Sequence, residues 1–155
     1  MRGRELKCRD LSIGDWVQDS HGMRWQVCGV GEDYAYGTFE GNEGDPWEFD
    51  DKDDRPYGIE ITKEFLDNNG FRFERDYGQF WRSMLGDYSF KSEFCVNVEW
   101  LHTNGDYKIV YVDCVKRSDR KESGATLKNG PFYVHDLQHA LRLIGLGEIA
   151  DNFKL

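Results

Sequence analysis

A single dipeptide, Asn104-Gly105, constrains the fold of this chain more than any other sequence feature. It separates two runs of β-branched and aromatic residues, 93–103 and 106–115. Asn-Gly tolerates the positive φ that both central positions of a type I′ turn require, and such a turn joins two antiparallel strands through only two residues. The sequence therefore predicts a β-hairpin over residues 93–115.

The predicted turn also determines which residues of the hairpin face each other. Because pairing runs outward from Thr103 and Asp106 without a break, the numbers of opposed residues sum to 209. The period of two then places three pairs on one face, which we expect to be the core: Trp100 with Ile109, Val98 with Tyr111, and Phe94 with Val115. The second face is mixed and predicted to be half-buried, and it carries Asn97, Glu99, Val110 and Val112.

The same register places Cys95 opposite Cys114. This is predicted to be a hydrogen-bonded pair, whose Cα separation and side-chain directions suit a disulfide poorly. The four cysteines form no C-x-x-C pair, which argues against a zinc ribbon and against a thioredoxin-like redox motif. We expect free thiols, as in a cytosolic protein.

The N-terminal third carries the pattern of a short antiparallel meander. Residues 11–17 and 23–30 flank the turn material His21-Gly22, and the second run alternates between two faces, which predicts a hairpin. Residues 34–39 are predicted to be a third strand, in a meander of the kind that opens SH3-like small barrels. A short strand is predicted over residues 57–61.

Two helices are predicted in the rest of the chain. Thr62 can cap a helix over residues 63–69, which Gly70 ends. Residues 134–144 place Leu137, Ala140, Leu141 and Ile144 at i, i+3, i+4 and i+7, which is typical of an amphipathic helix. Gly145 or Gly147 ends or bends this helix before a last turn. Residues 116–130, with five basic residues, are interpreted as a solvated loop.

Together these elements predict an α+β fold. It consists of antiparallel meanders and hairpins, with a short middle helix and a C-terminal amphipathic helix packed on the sheet. At 155 residues the chain is long enough for one well-buried core. We therefore expect a single domain over residues 1–155, with a β-rich part over 1–61 and the helix, hairpin and C-terminal helix over 62–155.

Negative charge is concentrated between Glu40 and Asp54. This segment has eight acidic residues against Lys52 alone, in a chain of net charge −9. Like charges at this density repel, so residues 41–56 are predicted to be a solvated loop. Trp47 and Phe49 of this loop could pack back against the rest of the protein. The candidate partner-binding residues are Trp47, Phe49, Asp50, Asp51, Asp53 and Asp54. They could also mimic a nucleic acid in the groove of a host protein, whereas the spacing of a calcium-binding loop is missing.

His135 and His139 lie one helical turn apart, where two imidazoles could bind a metal ion. In H-E-x-x-H metalloproteases a Glu follows the first His as general base, and Asp136 occupies that position here. A metal-dependent hydrolase that uses both histidines is therefore an alternative hypothesis. The structural interpretation is that Asp136 or His135 caps the helix and that His139 lies on its polar face. No nucleotide motif or nucleophile elbow occurs, so no catalytic residue and no cofactor is predicted.

Three segments carry a resemblance to a known family. Residues 133–143 contain Tyr-Val-His-Asp-Leu-Gln, residues 11–17 read Leu-Ser-Ile-Gly-Asp-Trp-Val, and residues 59–71 contain Ile-Glu-Ile-Thr-Lys-Glu-Phe-Leu. In their order along the chain, 11–17, 59–71 and 133–143, these segments resemble the anchor segments of a family of small uncharacterised proteins from bacteriophages and mobile elements of gut bacteria. The resemblance implies a phage or prophage accessory protein and no particular activity. The acidic segment departs from the shorter pattern of that family.

The functional hypothesis follows from charge and from missing motifs. Net negative charge argues against nucleic-acid binding, which needs clustered Lys and Arg; a small N-terminal barrel could supply only Arg2, Arg4, Lys7, Arg9 and Arg24. No secretion signal and no run of eighteen apolar residues occurs, so we expect a cytosolic protein without membrane contact. The resemblance implies that this is the cytosol of a bacterial host. The favoured hypothesis is a non-enzymatic module that binds an unknown protein partner.

Overall fold

Two antiparallel sheets, of four and five strands, form most of the structure, with a short middle helix and C-terminal helices packed on them. The predicted α+β fold is confirmed. The structure is a computed structural model that describes residues 4–40, 44–75, 80–89, 92–118 and 121–155. Arg2, residues 41–43 of the predicted acidic loop, and residues 119–120 of the predicted basic loop lie outside the described residues.

The chain divides into two compact units. The first consists of Met1–Glu60 with Tyr133–Gln138, and the second of Ile61–Phe132 with His139–Leu155. That residues 1–155 behave as one cooperative domain stays a prediction.

The sheet of the first unit is a meander of four strands in chain order. Its strands are β1 (Trp16–Gln18), β2 (Arg24–Val30), β3 (Tyr34–Phe39) and β4 (Trp47–Asp50), and a 3-10 turn at Cys8–Asp10 precedes them. Gly22 has a φ of 81° between β1 and β2, where a turn needs the left-handed region. The predicted hairpin and third strand are therefore confirmed.

Part of the predicted solvated loop is a strand. β4 lies within residues 41–56 and pairs with β3, with Ala35 opposite Phe49. Phe49 is fully buried and draws the chain onto the sheet, because the gain from burying a large aromatic side chain outweighs the repulsion between exposed neighbouring carboxylates. The core around it contains Leu6, Cys8, Leu11, Val17, Val27 and Ala35.

Residues 57–61 pair less than predicted. Among the described residues they form isolated bridges instead of a strand: Tyr57 bridges to Glu5 and Gln18, and Glu60 bridges to Tyr133. The Tyr57 amide donates to the Gln18 carbonyl at 2.8 Å, and the Tyr57 carbonyl accepts from the Gln18 amide at 3.0 Å. Tyr57 thus extends the sheet on the free side of β1.

The second unit contains a five-stranded sheet in chain order. Its strands are β5 (Arg72–Arg75), β6 (Phe80–Gly86), β7 (Phe94–Thr103), β8 (Asp106–Ser118) and β9 (Lys121–Lys128). The sequence patterns predict no element for β5 and β6: β5 has only four residues, three of them charged, and in β6 the Arg82 side chain shares a face with Phe80 and Met84. The loop predicted over residues 116–130 is wrong: β8 continues through Ser118 and β9 follows it.

The register of the central hairpin is only partly as predicted. Around the Asn104-Gly105 turn the pairs sum to 209 as far as Trp100 with Ile109. There β8 contains one extra residue, Val110, because the next pair is Glu99 with Tyr111. This β-bulge shifts every later pair by one residue.

The shift corrects three predicted pairs. Val98 lies opposite Val112, Phe94 opposite Lys116, and Cys114 opposite Val96, while Cys95 lies opposite Val115. Val112 is fully buried on the core face in the place predicted for Tyr111, which is half-buried. Cys95 and Cys114 are both free and occupy opposite faces of the sheet.

The predicted helices are confirmed. They are α1 (Lys63–Asn68), α2 (Val134–Leu143) and α3 (Gly147–Asp151). The Thr62 hydroxyl accepts a hydrogen bond from the Phe65 amide at 3.1 Å and caps α1. Gly145, with a φ of 84°, ends α2. None of the described helices has the length and apolarity needed to cross a membrane.

Candidate functional site

The two units differ in charge. The first has sixteen acidic and seven basic residues, and the second has thirteen of each, so the whole net charge of −9 belongs to the first unit. A surface with this excess of carboxylates attracts cationic partners and repels nucleic acid. The first unit is therefore the better candidate to bind a cationic partner.

Trp25 and Trp47 form an exposed aromatic surface at one end of the four-stranded sheet. Their rings stack with centroids 5.9 Å apart and planes inclined by 30°. Trp25 also contacts Phe39 and Phe49 edge to face, at 5.5 and 6.1 Å. Trp47 lies outermost and is 46% exposed. We call these two residues the Trp25–Trp47 surface.

Two local features hold Trp25 in place. Its indole Nε1 donates to Asp19 Oδ2 at 3.0 Å. A Cβ on Gly37 would lie 3.1 Å from the Trp25 Cβ and 3.3 Å from the Phe49 ring, so only glycine leaves full room for these side chains. The surface is thus preorganised, which lowers the conformational entropy lost when it binds a partner.

Asp50, a candidate partner-binding residue, organises the turn after β4. Its Oδ1 accepts hydrogen bonds from the amides of Lys52, Asp53 and Asp54, at 2.7, 2.6 and 3.3 Å. The Lys52 and Asp53 amides lower the pKa of Asp50 below its ordinary value of 3.8. The carboxylate therefore stabilises the turn in its ionised form.

Of the other candidate partner-binding residues, Asp51 and Phe49 make contacts within the fold, whereas Asp53 and Asp54 are exposed. Asp51 Oδ1 accepts a hydrogen bond from the Cys8 amide at 2.9 Å. Burial, followed by the contact with Asp51, raises the pKa of the Cys8 thiol to about 12. Phe49 is inaccessible in the core, whereas the side chains of Asp53 and Asp54 are exposed.

His135 is buried near the start of α2. It is 5% exposed, its ring stacks on Tyr133 with centroids 5.9 Å apart, and its Nε2 lies 3.4 Å from Asp136 Oδ1. Asp136 also accepts a hydrogen bond from the Tyr133 amide at 3.1 Å, as a residue in the first turn of a helix does when it caps that helix. His139, on the same helix, is half-buried.

Two side chains of residues 133–138 contact the N-terminal part of the chain in the first unit. Gln138 is fully buried; its Oε1 accepts from the Trp16 amide at 2.9 Å and its Nε2 donates to the Gly14 carbonyl at 2.9 Å. The Tyr133 hydroxyl accepts from the Arg4 amide at 2.8 Å, and the Tyr133 ring packs directly on Gly58. Gln138 and Tyr133 therefore help to maintain the fold of the first unit.

An aromatic cluster in the second unit was not predicted. Trp81 stacks on His102 with centroids 4.2 Å apart, and Tyr107 lies 5.1 Å from Trp81 and 4.8 Å from His102. Arg75 lies over Trp81 at 4.9 Å. Only the cross-strand register brings these residues together, so the linear sequence gives no signal of it. Rings that contact across strands in this way stabilise the sheet.

Tyr88 and Asn97 are two polar residues of the second unit. Burial raises the pKa of Tyr88 to about 12, and the nearby charges of Asp113 and Glu99 act in the same direction. Tyr88 can therefore donate a hydrogen bond but keeps its proton. The buried Asn97 amide donates to Glu99 Oε1 at 3.4 Å.

Across the residues that the structure describes, no group of three or more His, Cys, Asp or Glu side chains is arranged to hold a metal ion. Of the predicted site residues, the structure leaves Trp47, Asp53 and Asp54 exposed and places Phe49 and His135 in the interior. The comparisons of the chain with protein-family models, curated proteins and solved structures gave no match.

Proposed function

We propose that this chain is a non-enzymatic protein-binding module, whose first unit binds a basic segment of a partner protein at the Trp25–Trp47 surface. The position of Trp47 carries the proposal. Trp47 rests on Trp25, is 46% exposed, and belongs to the unit that carries the whole net charge. Exposed tryptophans on a rigid support are the residues most often responsible for the binding energy of a protein interface.

The chemistry of the surface favours arginine or lysine in the partner. An arginine guanidinium can stack on the exposed Trp47 ring, because the face of an aromatic ring attracts cations. Glu40 directly follows Phe39 at this end of the sheet and is exposed, whereas Glu48 lies on the opposite face from Trp47, because side chains alternate along β4. The excess of carboxylates in the first unit attracts further basic side chains, so a segment that combines arginine or lysine with an apolar residue fits best.

We further propose that the module is a phage or prophage accessory protein that acts in the cytosol of a bacterial host. The resemblance of three segments supports this setting. An SH3-like barrel for the first unit is proposed with it, supported by the pairing of Tyr57 with β1. Small barrels of this kind commonly serve as binding modules, which agrees with the function proposed here.

Selection from a random peptide display library tests the proposed function without knowledge of the host. We expect the wild-type chain to enrich peptides that contain arginine or lysine beside an apolar residue. Trp47→Ala should weaken binding of an enriched peptide about ten-fold or more, measured by fluorescence anisotropy. Tyr34→Ala is the matched control, since Tyr34 is 40% exposed on the other face of the same sheet and the substitution leaves the net charge unchanged.

The outcomes separate the alternatives. An absence of enriched peptides, or equal affinity of the wild type and Trp47→Ala, would contradict the proposal. Nucleic-acid mimicry uses the carboxylates without the tryptophan, so Asp53→Asn with Asp54→Asn would then weaken binding while Trp47→Ala would not. The hydrolase hypothesis requires bound metal, and a metal content that falls in His139→Ala would favour it instead.

A further inference from the structure

β9 is an edge strand of eight residues with an open side. Within the described residues it pairs only with β8, and six of its eight side chains are exposed. An edge strand presents unpaired amide and carbonyl groups, which can pair with another strand. Such an edge is a binding surface in its own right.

The charges on β9 make it complementary to itself in one register. If two copies pair antiparallel with Ala125 opposite Ala125 of the second copy, Glu122 of each chain lies opposite Lys128 of the other. Gly124 then faces Thr126, and Ser123 faces Leu127. This register places opposite charges together at both ends of a seven-residue ladder, and cross-strand pairs of opposite charge stabilise a sheet.

Neighbouring registers lack this complementarity. A shift by one residue in one direction places Lys121 opposite Lys128 twice, which is repulsive, and a shift in the other direction leaves Glu122 opposite Asn129. Within its own chain, Glu122 lies 3.8 Å from Arg117 and its side chain is 65% exposed, so its carboxylate is accessible to a second partner. Lys128 is also exposed.

We propose that β9 pairs antiparallel with β9 of a second copy of this chain about a two-fold axis at Ala125, so that two five-stranded sheets join into one. The pairing is isologous: the same strand serves both partners and the assembly closes as a dimer. This surface belongs to the second unit, and its role is independent of the Trp25–Trp47 surface.

Sedimentation equilibrium of the full chain up to 500 µM tests the dimer and its register. We expect a reversible monomer–dimer equilibrium at low salt. Lys128→Glu should weaken dimerisation about ten-fold or more, because two attractive pairs become two repulsive pairs. Glu122→Lys combined with Lys128→Glu exchanges the charges and should restore the dimer. A monomer at every concentration, or a dimer that neither variant changes, would overturn the proposal.

Cross-linking provides a readout that does not depend on charge. In a Cys28→Ser background, which removes the exposed native thiol, Ala125→Cys places two sulfurs opposite each other, at a Cα separation of about 5 Å. Ser123→Cys is the control, because its two copies would lie about 13 Å apart along the strands. Mild oxidation should link only the first variant. Equal linkage of both variants, or of neither, would refute the register.

Discussion

Gln138 joins α2 to the start of β1. Its side chain bonds the Gly14 carbonyl and the Trp16 amide. A glutamine amide can satisfy one donor and one acceptor at once, which an apolar side chain of the same size cannot. Gln138 therefore helps to hold the first unit together.

Replacement of Gln138 should be costly. Gln138→Met keeps the length of the side chain but leaves the Trp16 amide and the Gly14 carbonyl without this partner. We expect the free energy of unfolding to fall by about 1–3 kcal/mol, the cost of one buried polar group left unsatisfied, because the Gly14 carbonyl keeps a second donor in Gln26 Nε2 at 3.3 Å. Urea denaturation followed by tryptophan fluorescence measures the change. Leu143→Met, at an 81% exposed position of the same helix, should change stability by less than about 0.5 kcal/mol.

At the scale of elements, signals carried by a few neighbouring residues predict a turn and helix ends correctly, whereas features that depend on strand pairing are not predicted. Asn104-Gly105 predicts a turn, Thr62 a helix start, and Gly145 or Gly147 a helix end, of which the structure selects Gly145. The bulge at Val110 has no such signal, since valine suits a bulged and a regular strand alike. The sequence predicts a loop at β9 because an exposed edge strand is rich in polar residues.

The candidate site likewise contains features that the sequence indicates and features that depend on strand pairing. Trp47 could be identified from its place among acidic residues, whereas its stacking on Trp25 depends on the pairing of β2, β3 and β4. Phe49 and Asp50 share the composition of the acidic segment, yet one fills the core and the other holds a turn. Composition predicts where charge is concentrated, but only tertiary pairing determines which side chains remain exposed.

The bulge gives a prediction at the same scale. Deletion of Val110 removes the unpaired residue and leaves Ile109, Tyr111 and Val112 on the faces that they already occupy. Deletion of Val112 also restores a regular ladder but moves Tyr111 into the position of a fully buried valine. We expect the first deletion to change stability by less than about 1 kcal/mol and the second to cost about 3 kcal/mol or more, by overpacking. Thermal denaturation of both variants tests this.

A small effect of the Val110 deletion together with a large effect of the Val112 deletion would show that the bulge sets the register of β8. If deletion of Val110 were as harmful as deletion of Val112, the bulge itself would be required, for example for the twist of β8. Hydrogen exchange of the β7 and β8 amides would then show whether the loss of protection is confined to the bulge or extends along the ladder.

Across the whole molecule, both units contain buried thiols, whereas only the first unit carries a net charge. Cys8 belongs to the acidic first unit, and Cys95 and Cys114 belong to the second unit, whose acidic and basic residues balance. Burial raises the pKa of Cys8 and of Cys114 from an ordinary value of 9.0 to about 12, and it also raises the pKa of Cys95. Each unit is therefore more stable while its buried thiols keep their protons.

This distribution predicts a loss of stability at alkaline pH in both units. The folded-state pKa lies above the unfolded one, so the thiol contribution is fully present below pH 9 and is lost as the pH rises toward 12. At pH 10.5, 1.5 units above the unfolded value, each thiol should cost up to about 2 kcal/mol. Urea denaturation at pH 8 and pH 10.5 measures the difference. Cys8→Ala with Cys114→Ala should reduce the pH dependence, whereas Cys28→Ala, at an exposed position, should leave it unchanged. An identical pH dependence in all three proteins would show that the buried thiols are not its source.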